Sequence, residues 1–485
     1  MRTQPILSVL LLCSTATAQA ADRPNVLFIA VDDLRPQLGC YGEDYMHTPN
    51  LDRLARDGRL FLRHYVQVPT CGASRYCLLT GQRPQLFSSL GNEAIAQTLS
   101  GQPESKIPES WPHLFRNSGY RTVSIGKVSH YPDGRLFTKN GGAGEGQPEM
   151  PQSWDELATP LGKWETGWNA FFGYADGSGR TPGVSPPTED ADVDDNGYPD
   201  GLIAAQAVAK LRELKDRDEP FLLAVGFYKP HLPFNAPRKY WDLYDPAIIP
   251  PATFSEKPEN IAPQSHHKSG EMFGNYHHPD GSRRDAAHHR HLRHAYCAAV
   301  SYSDAQIGKV LDAVDALGLR DSTIIVVWGD HGWHLGDHDI WGKHTLFERA
   351  LRSALIIRTP HMPQPGVSAE GIVETLDLYP TLAKLCSLEI PAEVELGGES
   401  LAPLLNEPSH AGKSGAMSYW KGGVSLRTDR YRLTYYPQSK RGPEFIELYD
   451  HEDDPHETTN VAERQPEVVR RLLEQLRHNA PTFEK

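Results

Sequence analysis

The sequence predicts an α/β fold: a large, mostly parallel sheet covered by helices, plus a smaller C-terminal subdomain with a short antiparallel sheet. Three observations predict it. Asn25 to Val31 is a continuous apolar run, as expected of a strand buried on both faces, and Tyr120 to Gly126, Phe221 to Phe227 and Thr323 to Trp328 read as further strands. Stretches of helical periodicity separate them, the alternation that builds a parallel sheet. After about Leu396-Gly397-Gly398 the texture changes to short aromatic segments between turns. The division that follows is a leader over 1–20, a main domain over 21–395 and a C-terminal subdomain over 396–485.

Taken in order, the leader has Arg2 as its charge, Ile6 to Leu12 as its apolar core and Ala18-Gln19-Ala20 as a small-x-small cleavage site. That core is too short to span a bilayer, and no later segment is long and apolar enough to do so. The mature chain is therefore expected to be exported, periplasmic or extracellular. The first strand ends in Asp32-Asp33, and adjacent carboxylates at the carboxyl end of a parallel strand suggest a metal. Thr48-Pro49-Asn50 starts a short helix that Gly58 stops. The strand ending at Gly126 is followed by Lys127 and His130. The strand ending at Phe227 is followed by Lys229-Pro230-His231-Leu232-Pro233, whose prolines make a rigid loop around His231. Asp200 is expected to cap the helix before that strand, which runs through Leu211 to about Leu214. Ser303-x-x-Gln306 reads as a capping box opening a helix that Gly318 closes. The strand ending at Trp328 leads into Gly329-Asp330-His331-Gly332, and Ala354 to Ile357 is a further strand. In the subdomain, Tyr431 to Tyr436 and Phe445 to Tyr449 read as strands and Val468 to Leu476 as an amphipathic helix.

Composition bounds the function. A chain of 485 residues can bury a large core. A net charge of −13 argues against nucleic acid as partner, and means that an anionic substrate needs a locally positive pocket. Without Cys13 of the leader, Cys40, Cys71, Cys77, Cys297 and Cys386 remain, too few and too scattered for a disulfide framework. Asp192-x-Asp194-x-Asn196-Gly197 begins like an EF-hand loop, but Ile203 stands at its twelfth position where a bidentate glutamate is needed. The histidines between His266 and His294 lack compact ligand spacing and read as a polar surface insertion.

The most informative stretch is Cys71-Gly72-Ala73-Ser74-Arg75-Tyr76-Cys77-Leu78-Leu79-Thr80-Gly81. If Ser74 opens a helix, the thiol sits at its N-terminus, where unpaired N–H groups favour an anion, and Arg75 adds a planar cationic fork. This stretch resembles the signature of the type I sulfatases, whose motif cysteine is oxidised to formylglycine; the family most often has proline where this chain has Ala73. Val31-Asp32-Asp33-Leu34-Arg35-Pro36, Gly126-Lys127-Val128-Ser129-His130, Lys229-Pro230-His231, Gly329-Asp330-His331-Gly332-Trp333, Trp341-Gly342-Lys343 and Asp377-Leu378-Tyr379-Pro380 look like the sulfatases grouped with iduronate-2-sulfatase.

The resemblance implies an alkaline-phosphatase-like sandwich and a calcium ion held by Asp32, Asp33, Asp330, His331 and the modified Cys71. It implies that Arg75, Lys127 and Lys343 bind sulfate. His231 protonates the departing sugar oxygen, with Lys343 the second candidate, and His130 orients the formylglycine hydroxyl. Hydrated formylglycine carries two hydroxyls on one carbon, one to attack sulfur and one to expel sulfate afterwards; a serine could complete only the first half. The implied partners are a sulfated oligosaccharide or polysaccharide fragment and the enzyme that matures Cys71. The expected reaction is exolytic 2-O-desulfation of a terminal uronic acid. Alternatives are another sulfated sugar, choline sulfate, a phosphate or phosphonate ester, or an inactive carbohydrate-binding relative. Comparable sulfate and phosphate release would mark the phosphatase alternative, and glycan binding without turnover the inactive one.

Overall fold

The computed structural model describes residues 23–479, apart from 85–86, 104, 138–145 and 441; the predicted leader at 1–20 lies outside the described residues. Eight strands form the main sheet: β1 (Asn25–Val31), β2 (Arg59–Tyr65), β3 (Arg121–Gly126), β4 (Glu156–Leu157), β5 (Phe221–Phe227), β6 (Thr323–Gly329), β7 (Leu355–Arg358) and β8 (Ala369–Glu374). Their spatial order is β8-β2-β7-β6-β1-β5-β3-β4. β1 lies at the centre, paired in parallel with β5 and β6 along its length.

The sheet is mostly parallel, as predicted, but β7 runs antiparallel to both β6 and β2. The sequence did not announce β2 or β8. β2 carries arginines that mask its strand character, and one of them, Arg59, is fully buried while donating to the Pro363, Gln364 and Leu405 carbonyls.

The alternation of β1 separates two cores. Leu27, Ile29 and Val31 face one layer of helices, which includes α3 (Pro199–Lys215) and α4 (Ala286–Ala316). Val26, Phe28 and Ala30 face the other, which includes α2 (Cys71–Thr80). A helix α1 (Pro49–Asp57) does end at Gly58 as predicted. The second core continues without a break into the C-terminal part, through Leu433, Leu448, Leu472 and Leu476. That part is a four-stranded antiparallel sheet, β9 (Ala416–Trp420), β10 (Gly423–Arg427), β11 (Tyr431–Tyr436) and β12 (Phe445–Asp450), with α5 (Pro466–Asn479) packed on it.

Two predicted caps are corrected. Asp200 lies inside the first turn of α3 and points away from it, accepting hydrogen bonds from the Tyr228 and Lys229 amides at 2.9 and 2.8 Å. Helix α4 starts at Ala286, capped by Asp285, and runs straight through Ser303, whose hydroxyl donates to the Lys229 carbonyl at 2.7 Å. Both side chains do cap something, namely the backbone of the loop before His231. Sequence patterning sees only local partners, and here tertiary partners won.

Candidate active site

The parallel registers set Val31 beside both Phe227 and Gly329, and Gly126 beside Gly226. The residues that follow these strands therefore emerge together, at the carboxyl edge where α/β sheets place their crevices. Close approach is essential at this edge. A Cβ on Gly126 would lie 2.0 Å from the Gly226 carbonyl oxygen, and one on Gly226 would lie 2.2 Å from the Lys127 backbone.

Asp32, Asp33, Asp330 and His331 all arrive there fully buried. Asp33 adopts a left-handed φ of 59°, strain of the kind stored at functional sites, and its amide donates to Asp330 Oδ1 at 2.9 Å. Helix α2 forms the opposing wall. It begins at Cys71 rather than at Ser74, with Thr70 as N-cap, so the thiol belongs to the first turn and its free amides. Cys71 Sγ lies 3.3 Å from His331 Nε2 and 3.4 Å from Lys343 Nζ.

Arg75, one turn on, is fully buried behind the carboxylates. It donates to Asp330 Oδ2 at 3.2 and 3.0 Å and to Asp32 Oδ1 at 3.4 Å, and also to the Lys127 and Val128 carbonyls. Lys127 pairs with Asp32, its ammonium 4.1 Å from the centre of the Phe171 ring. Lys343 Nζ lies 2.8 Å from Asp33 Oδ1 and 3.3 Å from Glu271 Oε1. His231 donates through Nδ1 to the Leu232 carbonyl at 2.6 Å, which leaves Nε2 facing Glu271 Oε1 at 3.3 Å. His130 stands on the cavity wall with its Nδ1 buried and unpartnered.

Packing this many charges together separates their proton affinities. Burial pushes Asp32 upward, but Lys127, the hydrogen bond with Asp330, and the charges of His231 and Arg75 together outweigh it and hold the carboxyl well below its ordinary range. Burial pushes Asp33 well above that range, with help from the Asp32 charge and against the pull of Lys343. Burial and Asp32 together push Asp330 up to about 7. Burial, reinforced by Asp32, raises the Cys71 thiol well above its usual value, so as a thiol it stays protonated. Burial and Lys343 push His231 down to about 4, and the same two causes hold His331 well below the ordinary imidazole range.

The donor set suits a hard cation. Ligand atoms of Asp32, Asp33, Cys71 and His331 lie within 4.8 Å of one another. His331 Nδ1 donates to the Gly332 carbonyl at 2.9 Å, which leaves a bare Nε2 lone pair 3.3 Å from Asp33 Oδ1. Ligand atoms that converge in this way suit a cation between them, and carboxylate oxygens favour calcium or magnesium. A second acidic group, Glu348, His451 and Glu457, already holds a cation of its own, because Arg432 pairs with both glutamates.

All ten candidate site residues of the sequence meet at this crevice, eight of them around Cys71 with Arg75 behind. The sequence leaves substrate selection to loops that include 141–199 and 251–293, and it named no residue of the cavity's outer wall, which those loops largely supply. That cavity, of about 460 Å³, also takes in Glu271 and His267 from the supposed surface insertion, Phe171, Phe172 and Arg180 from another loop, and Trp420 from β9. The insertion is thus partly functional wall: His267 Nε2 contacts the Lys343 carbonyl at 2.6 Å. None of these residues sits in a motif, and only a carboxylate beside Lys343 could have hinted at Glu271.

A family model described as sulfatase matches residues 24–388, and one described as N-sulphoglucosamine sulphohydrolase, C-terminal, matches residues 336–481. Human iduronate 2-sulfatase is 32% identical over 410 residues, covering 78% of this chain and 71% of that protein. Among solved structures, a phosphonate monoester hydrolase of Agrobacterium radiobacter superposes with a TM-score of 0.73 at 23% identity, covering 94% of this chain and 95% of that one. A protein in complex with its substrate D-glucosamine-2-N,6-O-disulfate gives a TM-score of 0.71 at 22% identity, covering 96% and 100%. These structural likenesses establish the alkaline-phosphatase-like fold, and the match over most of the chain decides the rest: the protein belongs to the sulfatase family and is a sulfuric ester hydrolase.

Proposed function

We propose that the protein is an exported, calcium-dependent sulfatase. In this reading it removes sulfate exolytically from a sulfated glycan, at the 2-position of a terminal uronic acid. The observation that carries the reading is Cys71 in the first turn of α2, set against His331 and Lys343 beside three buried carboxylates. A buried thiol kept protonated is a poor nucleophile, which supports Cys71 as the precursor of formylglycine rather than as the reacting group itself. Formylglycine would supply a hydroxyl able to attack sulfur, and calcium on Asp32, Asp33, Asp330 and His331 would supply charge neutralisation at the sulfate. The 32% identity to iduronate 2-sulfatase supports the uronate.

The chain's own residues would then divide the work. Lys127 and Lys343 are aimed into the cavity and would match the sulfate's charge where water is excluded. Arg75 has its donors committed to carboxylates and carbonyls, so it would act on the substrate by fixing Asp32 and Asp330. His231 keeps Nε2 turned to the cavity beside Glu271, and once the bound sulfate's charge has raised its proton affinity it would hand a proton to the departing sugar oxygen there. His130, with its unpartnered nitrogen, would orient the nucleophile. Residues 1–20 would direct export, 21–395 form the catalytic domain and 396–485 the C-terminal subdomain. A maturation enzyme and a sulfated oligosaccharide are the partners.

The test is sulfate release from a disaccharide ending in a 2-sulfated uronic acid, using protein coexpressed with a formylglycine-generating enzyme. Release establishes the substrate class. If protein of the mass expected for formylglycine hydrolyses aryl sulfate but not this disaccharide, the uronate is discarded. A second variant examines the leaving-group role. His231→Ala should lower kcat/KM on the sugar ester by about 10²- to 10⁴-fold, and far less on an activated aryl sulfate that needs little protonation. Equal losses on both esters would remove His231 from that role.

A further inference from the structure

The cations at the heart of the site have carboxylate partners: Arg75 with Asp32 and Asp330, Lys127 with Asp32, and Lys343 with Asp33 and Glu271. Arg180 lines the same cavity differently. Its guanidinium stacks 3.8 Å from the centre of the Phe172 ring and lies 5.5 Å from that of Tyr276, and among the described residues no carboxylate comes within ion-pair distance of it. Phe172 in turn packs on Phe171 at 4.7 Å and stands 5.8 Å from the His231 ring. Arg180 is therefore a permanent charge laid on the aromatic wall behind His231.

The backbone around Arg180 is built rather than loose. The Thr181 amide donates to Ser185 Oγ at 2.9 Å, and the Gly183 amide to the Asn275 carbonyl at 3.1 Å. The His277 amide donates to the Ser185 carbonyl at 2.9 Å, so this loop is stitched to the segment that carries Glu271. In a chain with a net charge of −13, a fixed cation without an acidic partner at the mouth of an anion pocket calls for a ligand charge. A stacked guanidinium keeps its N–H edge available for bidentate contact with an oxyanion.

We propose that Arg180 binds a second negative group of the substrate, separate from the sulfate being removed: an oxyanion on the same sugar or on its neighbour, with the carboxylate of the sulfated sugar as the assignment. The proposal rests on the sulfated-glycan reading and names the residue that selects a doubly charged substrate.

The test measures competitive inhibition of aryl-sulfate turnover by matched pairs of compounds. One pair is a 2-sulfated hexuronate and its methyl ester; the other is a disulfated and a monosulfated glucosamine. The wild-type protein should bind the free acid about 10- to 100-fold more tightly than the ester, the range of one charge-assisted contact. Arg180→Gln should bring that ratio close to one, and Arg180→Lys should restore part of it. An arginine-dependent preference confined to the glucosamine pair would assign the second anion as sulfate. No preference in either pair by the wild type overturns the proposal, as does a preference that survives Arg180→Gln. Equal loss of affinity for acid and ester also overturns it, since that would place Arg180 on the scissile sulfate. Failure to release sulfate from the uronate disaccharide would remove the uronate reading alone, because the inhibition ratios are measured independently of it.

Discussion

Replacing Cys71 by alanine is expected to lower sulfate release by at least about 10³-fold, the scale on which loss of a covalent nucleophile registers. The protein should still fold. Cys71 is almost wholly buried, and its contacts are a weak pairing with His331 and one with Lys343, which keeps Asp33 and Glu271 as partners. Removing one sulfur there costs a small cavity and no buried charge. Sulfate assay and thermal unfolding, run side by side with matured wild type, separate the two effects. Residual activity above about a tenth of wild type would sink the assignment of Cys71. Cys71→Ser should also fail to turn over repeatedly, because one hydroxyl can accept the sulfuryl group but leaves none on the same carbon to expel it.

The largest effect on stability is expected at Arg432, far from the chemistry. This side chain is fully buried on β11, pairs with Glu348 and Glu457, and donates to Ser425 Oγ at 3.1 Å. Glu348 precedes β7 in the main domain and also accepts from Tyr65 of β2 at 2.9 Å, so the cluster clasps the C-terminal sheet to the main one. Arg432→Ala leaves the buried Glu457 with His451 and the part-buried Glu348 with Arg427 as their remaining charge partners, and removing the central cation of such a cluster costs up to about 3–5 kcal/mol. A loss below about 1 kcal/mol in denaturant unfolding would refute the clasp.

The effect should depend on pH with a definite sign. Burial pushes Glu457 up, but Arg432 and then the His451 contact outweigh it and hold the carboxyl at about 2, below the ordinary value near 4.5. Glu348 is likewise held down, against burial, by Arg427 and Arg432. A carboxylate depressed by folding stabilises the native state above its unfolded value, and that contribution is lost as pH falls through the folded one. The gap between wild type and Arg432→Ala should therefore be widest above pH 4.5 and close toward pH 2. A gap that widened on acidification would contradict the assignment.

By itself, the sequence determined the strands that meet along their whole length and the polar residues that end them. β1, β5 and β6 are apolar almost from end to end because both faces are buried, β3 carries Val123 and Ile125 between small polar residues, and such runs are visible without knowing their neighbours. The catalytic candidates sit where those runs stop, so Asp32, Lys127, His231 and Asp330 were legible as a set, and the motif around Cys71 named their chemistry. The tertiary structure decided everything that depends on a distant partner. It reversed β7, supplied β2 despite its buried Arg59, extended α4 past the false start at Ser303, and turned Asp200 onto the loop of His231. It also drew Arg180, Glu271 and Trp420 from three separate segments to one cavity wall. A polar side chain looks the same in sequence whether its partner is water or a residue 100 positions away; hydrophobic period reports burial, and only the fold reports what a buried charge is facing.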